Sequence, residues 1–127
     1  MENVLRHIRK HKVEYGDTVM FDIDDTLIDA KTGRVIPHVK KLLDKCKRLG
    51  YIVTIITARP DDKESQDFTV EELKKNGITY DLLAFCMPHL KTEVKQDLIH
   101  KQGWHFVLSV GDQPTDLTDS DIYLMVK

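Results

Sequence analysis

The stretch Val19 to Asp29 reads VMFDIDDTLID, and the rest of the chain is organised around it. Val19, Met20 and Phe21 are apolar and run straight into Asp22, Asp24, Asp25 and Thr26. A short apolar run bounded by polar residues is the pattern of a buried strand. Such a strand delivers its carboxylates at its C-terminal end, where ligands bind in open α/β sheets. Asp22, Asp24 and Asp25 repel one another at this spacing, and a hard divalent cation such as Mg²⁺ would relieve the repulsion. The same residue types also suit an N-cap or a turn. The stretch alone therefore leaves two readings open, and other parts of the chain must decide.

Residues 1 to 17, on its N-terminal side, are basic, with Arg6, His7, Arg9, Lys10, His11 and Lys12. Val4, Leu5 and Ile8 suggest a short helix there, read as a solvated arm or helix in preference to a nucleic-acid contact. His7 and His11 lie one helical turn apart, but no third metal ligand is near them in the sequence. Strand 1 is expected over Thr18 to Phe21. Leu27 to Pro37 follows, with Gly33 at a turn, and suits a small hairpin flap beside the carboxylates. Val39, Leu42, Leu43, Cys46 and Leu49 then recur with helical spacing, with Pro37 near the start and Gly50 just past the end. Ile52 to Ile56 is β-branched and reads as strand 2, ending in Thr57, Ala58, Arg59 and Pro60.

Asp61 to Asp67 reads as a polar loop, and Thr69 with Glu72 as the capping box of a helix running to Asn76. Tyr80 to Phe85 is expected to be a third strand, Met87 to His89 a turn, and Thr92 to Gln102 a helix stopped by Gly103. Phe106 to Val110 is strand 4, Gly111 to Asp119 a loop, and Ile122 to Val126 strand 5. Strands alternating with helices predict an α/β fold: a Rossmann-like, doubly wound, mainly parallel five-stranded sheet with helices on both faces.

At 127 residues the chain reads as one domain, 1–127, large enough to bury a core without staples. It is 41% hydrophobic and 31% charged, as soluble globular proteins are. A net charge of −2 points to no polyanion-binding surface overall. Cys46 and Cys86 match no metal spacing and read as buried thiols of a reducing compartment. No apolar run approaches the roughly 18 residues that span a bilayer, and the N-terminus lacks a signal-peptide core. A cytoplasmic location is the resulting expectation, with no membrane partner.

Several of these strands end in a functional group: Asp22 and Asp24 after the first, Thr57 after the second, Asp112 and Asp116 after the fourth. Lys91 sits just ahead of the last helix. In a parallel sheet these ends share one edge. Acids, a hydroxyl and a lysine together suit phosphoryl transfer, which needs a nucleophile, a metal, donors for the phosphate oxygens and a fixed positive charge.

Four segments carry a family resemblance: FDIDDTL, IITAR, a lysine before a helix, and SVGDQPTD, in that order. Over residues 18 to 126 the chain resembles the haloacid dehalogenase (HAD) superfamily of aspartate-nucleophile phosphatases. LKTEVKQDLIHKQGWHFVLSVGDQPTDL looks most like the small acid-phosphatase branch that includes plant vegetative storage proteins. TARPD followed by a TxxxL helix is similar to the phosphatase domain of polynucleotide kinase-phosphatases.

The resemblance implies that Asp22 is the nucleophile and that Asp24 protonates the leaving group, then activates water. It implies Mg²⁺ held by Asp22, the Asp24 carbonyl, Asp112 and Asp116, with Asp116 on metal waters or orienting Lys91. Thr57, with the backbone at Ala58, would hold the transferring phosphoryl together with Lys91. Arg59 suits a phosphate or substrate contact and equally a surface salt bridge. Lys95, one helical turn after Lys91, competes with it for the phosphate-binding role, and Lys91 is preferred. Thr26 is expected to fix the loop.

Asp25 stands where many relatives have Gly, and no cap domain is visible. An open site suggests a large substrate, a partner acting as lid, or loose specificity. The expected activity is a Mg²⁺-dependent phosphomonoester hydrolase working through an aspartyl-phosphate, on a small molecule or a nucleic-acid end, as a monomer or homodimer. The alternatives are a polynucleotide 3′- or 5′-end phosphatase and, from another class, a catalytically inactive HAD-like binding or storage module. A phospho-aspartate receiver domain fits less well, because Thr57 occupies the strand end where the phospho-acceptor would stand.

Overall fold

Five runs rich in β-branched and aromatic residues become the strands. The structure is a computed structural model that describes residues 1–126. Its strands are β1 (Asp17–Phe21), β2 (Ile52–Thr57), β3 (Leu82–Phe85), β4 (His105–Gly111) and β5 (Ile122–Met125). They form one sheet in the order β3-β2-β1-β4-β5, and every neighbouring pair is parallel. Among the described residues there are four α-helices: α1 (Glu2–Lys10), α2 (Pro37–Arg48), α3 (Lys63–Lys75) and α4 (Lys91–Gln102). Pro88–Leu90 and Pro114–Asp116 are single 3₁₀ turns.

All five residues of β1 are buried, as expected of a central parallel strand covered on both faces. Its side chains alternate between two cores. Val19 and Phe21 join Val53, Ile55, Leu108 and Val110 under Val4 and Ile8 of α1, Leu42, Leu43 and Cys46 of α2, and Leu73 of α3. Met20, Ile56 and Phe106 face the other way and pack against Val94, Leu98 and Ile99 of α4. Three helices thus cover one face and α4 the other. No separate cap stands over the sheet edge among the described residues.

Some expected boundaries change. Residues 61 to 67 are not all loop, because α3 begins at Lys63. Asp62 is the N-cap, its carboxylate accepting from Ser65 N at 2.9 Å. The earlier cap prevails because Lys63, Glu64 and Gln66 are good helix formers, and extending a helix from an existing nucleus costs little. Thr69 is left inside the helix, fully buried. The N-terminal segment is a helix rather than a solvated arm. Val4 and Ile8 are buried, and the Tyr51 hydroxyl donates to the Ile8 carbonyl at 2.8 Å. Both cysteines are free thiols, and burial pushes Cys46 up to about 12. Among the described residues no helix is long and apolar enough to cross a membrane.

At the N-terminal edge of the sheet, opposite the strand ends discussed below, Asp17 collects two imidazoles. His11 Nε2 lies 2.8 Å and His105 Nδ1 3.1 Å from its carboxylate, and Glu14 N donates to it at 2.8 Å. His11 is thereby committed to Asp17 and not to a metal. His105 Nε2 lies 2.9 Å from Asp121. Both ring nitrogens of His105 face carboxylates, which only the protonated ring satisfies by donating from each. The Asp121 bond, and Asp17 after it, hold the His105 pKa above its ordinary value against partial burial. Burial pushes Asp17 up, but the Glu14 amide and the two imidazoles outweigh it and hold the carboxyl below its usual range.

The stabilisation from His105 is complete below the ordinary imidazole range and is lost as pH rises through its raised pKa. That from Asp17 is present above the ordinary carboxyl range and is lost on acidification. Asp17→Asn should therefore lower the melting temperature more at about pH 6 than at about pH 8.5. The pH-dependent part should stay under about 1 kcal/mol, because His105 is half exposed. Thermal melts of both proteins at the two pH values measure it.

Candidate active site

The strand order fixes where a ligand can sit. From β1 the chain steps outward to β2 and β3, then crosses to β4 and β5 on the other side. The loops after β1 and β4 therefore diverge and leave a crevice between them. The first carries Asp22 and Asp24, the second Asp112 and Asp116.

Asp22 N donates to the Val110 carbonyl at 3.0 Å, so the nucleophile candidate is held by the sheet ladder itself. The chain then coils tightly: the amides of Thr26, Leu27 and Ile28 all donate to the Ile23 carbonyl. The backbone fixes this loop; the buried Thr26 hydroxyl has no partner. Asp25 takes the left-handed conformation, φ 58°, which explains why glycine suits this position and why Asp, among the better-tolerated residues there, replaces it. Asp29 N bonds Arg34 O and Gly33 N bonds Asp29 O, each at 2.8 Å, closing the expected small flap.

Lys91, the first residue of α4, is 3% exposed. Its Nζ donates to Asp22 Oδ1 at 2.9 Å and to Asp116 Oδ1 at 2.5 Å. Lys95 points elsewhere. Its three ammonium protons are taken by Ser109 Oγ (2.9 Å), the Asp116 carbonyl (2.6 Å) and the Thr118 carbonyl (2.7 Å). Burial draws the Lys95 pKa down to about 8, against the charges of Asp116 and Asp119. The two lysines divide the work: Lys91 meets the carboxylates, and Lys95 holds the loop that carries one of them.

Burial pushes the Asp22 carboxyl up to about 7. The Lys91 charge opposes the rise and the Asp116 charge adds to it. Asp22, Asp112 and Asp116 each present one oxygen, all within 4.8 Å of one another, and among the described residues this is the one such grouping. Hard carboxylate oxygens at that spacing fit a divalent cation such as Mg²⁺.

Asp24 is not in that group. Its carboxylate is gripped by Arg59, with Nε at 3.2 Å and Nη2 at 2.9 Å. Arg59 is held in turn by Glu72 Oε1 at 2.7 Å and Thr69 Oγ1 at 3.1 Å, and its Cζ lies 5.9 Å from the centre of the Phe68 ring. Burial would lower its pKa, but Asp24 and Glu72 outweigh that and raise it. Thr57 is fully buried at the end of β2, its hydroxyl accepting from Arg59 N at 3.2 Å. Ala58 is exposed beside it. The structure thus gathers Asp22, Lys91, Asp112 and Asp116 in one cluster. It places Asp24 with Arg59 on the α3 side.

Known proteins resemble the chain in two ways. The family described as HAD superfamily, subfamily IIIB (acid phosphatase), matches residues 27–124. The chain belongs to that family. As an acid-phosphatase member of the HAD superfamily it is a phosphatase enzyme. The match begins at Leu27, so Asp22 and Asp24 rest on the geometry above. A comparison with curated proteins gave no match.

Among solved structures, a chain of the Pnkp1/Rnl/Hen1 complex is similar with a TM-score of 0.66 at 18% identity. The similarity covers 90% of this chain and 47% of that one. A chain of the Pnkp1/Rnl/Hen1 RNA repair complex has a TM-score of 0.60 at 20% identity, over 79% and 37%. At these identities the likeness is one of fold, and this chain spans less than half of either neighbour.

Glu72, Thr69 and Gly111 matter to the HAD site and were not expected from the sequence to do so. Glu72 and Thr69 read as a helix cap, and an arginine needing more than one acid was the available signal for them. Gly111 ends β4, and a Cβ there would collide with the Asp116 side chain. Gly111→Ala should push Asp116 off Lys91 and cut turnover on the order of 100-fold. The overall circular dichroism spectrum should be unchanged, and steady-state kinetics with an aryl phosphate would measure the loss.

Proposed function

We propose that this HAD phosphatase is a Mg²⁺-dependent phosphomonoester hydrolase that works through an aspartyl-phosphate on Asp22. The observation that carries the reading is the placement of Asp22 at the switch-point crevice, against Lys91 and within reach of Asp112 and Asp116. An Asp22 carboxylate oxygen attacks phosphorus, and the bond to the leaving-group oxygen breaks. Asp24 leaves the Arg59 fork, takes up a proton from solvent and gives it to that oxygen. It then takes a proton from the water that hydrolyses the acyl phosphate. Thr57 and Lys91 hold the phosphoryl oxygens. Asp22, Asp112 and Asp116, with the Asp24 carbonyl, would hold Mg²⁺, which supplies further charge for the phosphate oxygens.

A second reading, a polynucleotide end phosphatase, draws support from a sheet edge with no cap and from neighbours that belong to RNA-repair assemblies. An inactive module is disfavoured by the intact acids and their lysine.

Purified protein should hydrolyse a generic aryl phosphate with Mg²⁺ and lose turnover in EDTA. Asp22→Asn should lower kcat on the order of 1000-fold or more. Mg²⁺ should also raise the melting temperature by several degrees through mass action, and Asp112→Asn should remove that shift. No turnover with any divalent metal, together with no Mg²⁺ shift, would overturn the reading.

A further inference from the structure

We infer that the outer face of α2 is a binding surface for a nucleic-acid strand, which it holds by its phosphates. The inference concerns binding, and it stands whether or not the crevice hydrolyses phosphate.

The net charge of −2 conceals a division along the chain. Residues 1 to 48 carry 11 Lys and Arg against 8 Asp and Glu, and residues 49 to 127 carry 8 against 13. Among the acids of the first part, Asp17, Asp22, Asp24, Asp25 and Asp29 lie at the two ends of β1 and in the loop and flap after it. The cations lie mainly on α1 and α2. On α2, His38, Lys41, Lys45 and Arg48 follow one another at three- and four-residue steps and so share one face. Val39, Leu42, Leu43 and Cys46 turn away from it into the core. His38, Lys41 and Arg48 are exposed and Lys45 is half-buried. Two neighbouring lysines are committed elsewhere, Lys40 to Asp44 at 2.7 Å and Lys47 to Asp81 at 3.9 Å. Lys41, Lys45 and Arg48 have no acid partner among the described residues.

The helix alone does not call for this charge. No acid stands in its first turn, where the helix dipole favours one, and His38 and Lys40 stand there instead. Lys45 and Arg48, in the last turn, suit the dipole as well. The row's length and charge then name the partner. From His38 to Arg48 it is about 15 Å long, and over that length a nucleic-acid strand brings about four phosphates. Three permanent cations and an imidazole stand ready to meet them. The basic surface continues at both ends. Lys31 and Arg34 are exposed on the flap that leads into α2. At the far end Lys10 and Lys12 are exposed ahead of Val13, which lines one hollow with Leu49 and Gly50. A membrane surface fits less well, because membrane-bound helices set large apolar side chains beside their cations. None of the exposed large hydrophobic residues lies on α2.

The test is fluorescence anisotropy with a labelled single strand of roughly 20 nucleotides. Both of its ends carry hydroxyls, so no terminal phosphate reaches the crevice. Wild type should bind it, with log Kd rising by about 3 for each tenfold increase in salt, as four or five neutralised phosphates require. The triple variant Lys41→Gln, Lys45→Gln, Arg48→Gln should lose about 2 of that slope and bind at least about tenfold more weakly at about 0.1 M salt. A second triple variant, Lys63→Gln, Lys74→Gln, Lys101→Gln, removes the same net charge from α3 and α4 and should bind as wild type does. Both variants should melt within a few degrees of wild type, since the substitutions keep out of the core. Absence of binding by wild type, a slope that the α2 variant leaves unchanged, or equal loss in both variants would overturn the inference. So would capture by vesicles of anionic phospholipid in preference to the strand.

Discussion

The Lys91 ammonium between Asp22 and Asp116 is the contact on which the catalytic edge depends. Three carboxylate oxygens within 4.8 Å of one another are gathered at the end of a buried parallel sheet. At an effective dielectric near 20, each such pair repels by about 3 to 4 kcal/mol. One lysine charge cannot offset all three pairs, and burial pushes Asp22 upward against the Lys91 charge. The same grouping of hard oxygens is of the kind that fits a divalent cation. An apolar replacement of Lys91 would leave buried charge unpaired, which is costlier than having no charges there at all.

The fold meets this constraint with α4. That helix covers its face of the sheet alone and still points two lysines inward, one turn apart. Lys95 reaches past the Phe106 ring to tie Ser109 on β4 to the carbonyls of Asp116 and Thr118. Asp116 is therefore gripped twice from one helix, by its carboxylate through Lys91 and by its backbone through Lys95. Gly111 supplies the third condition by leaving room for the Asp116 side chain. Stability of the second core and geometry of the site are thus one property. Loosening α4 would release the Asp116 loop before it unfolded the sheet.

What the sequence made legible follows from the range of the physics involved. Strands and α2 were readable because apolar periodicity is local, and so was the placing of Asp22, Thr57 and Asp112 at strand ends along one sheet edge, which needs only parallel strands. The family resemblance supplied the link of Lys91 to Asp116, which no local pattern encodes, and the contact of Lys91 with Asp22 emerged only in the structure. The start of α3 was misread because two capping signals compete there, and the helix formers between them carry the helix back to the Asp62 cap. Thr69 and Glu72 look like a cap in the sequence and turn out to face Arg59, ten and thirteen residues away. The docking of α1 was missed for a similar reason: a basic segment carrying only Val4, Leu5 and Ile8 looks solvated until the groove it fills is known.

The two sides of the crevice solve opposite problems. On the β4 side, acids outnumber the one lysine and the surface calls for positive charge. On the α3 side, Arg59 is matched by Asp24 and Glu72, and the wall ends in an exposed aromatic ring. A phosphomonoester has the same asymmetry, with a dianionic head and a less charged body. A larger HAD enzyme can delegate recognition of the body to a cap that closes over it. Here the sheet edge has no such cover among the described residues, and the elements beside Asp24 are the flap and, through Arg59, α3. Those elements are tied to the chemistry through Arg59, because the guanidinium that flanks the ring also grips the carboxylate assigned to the leaving group. The packing of α3 and the positioning of the acid are then coupled by one side chain. A change in the α3 wall would alter both together.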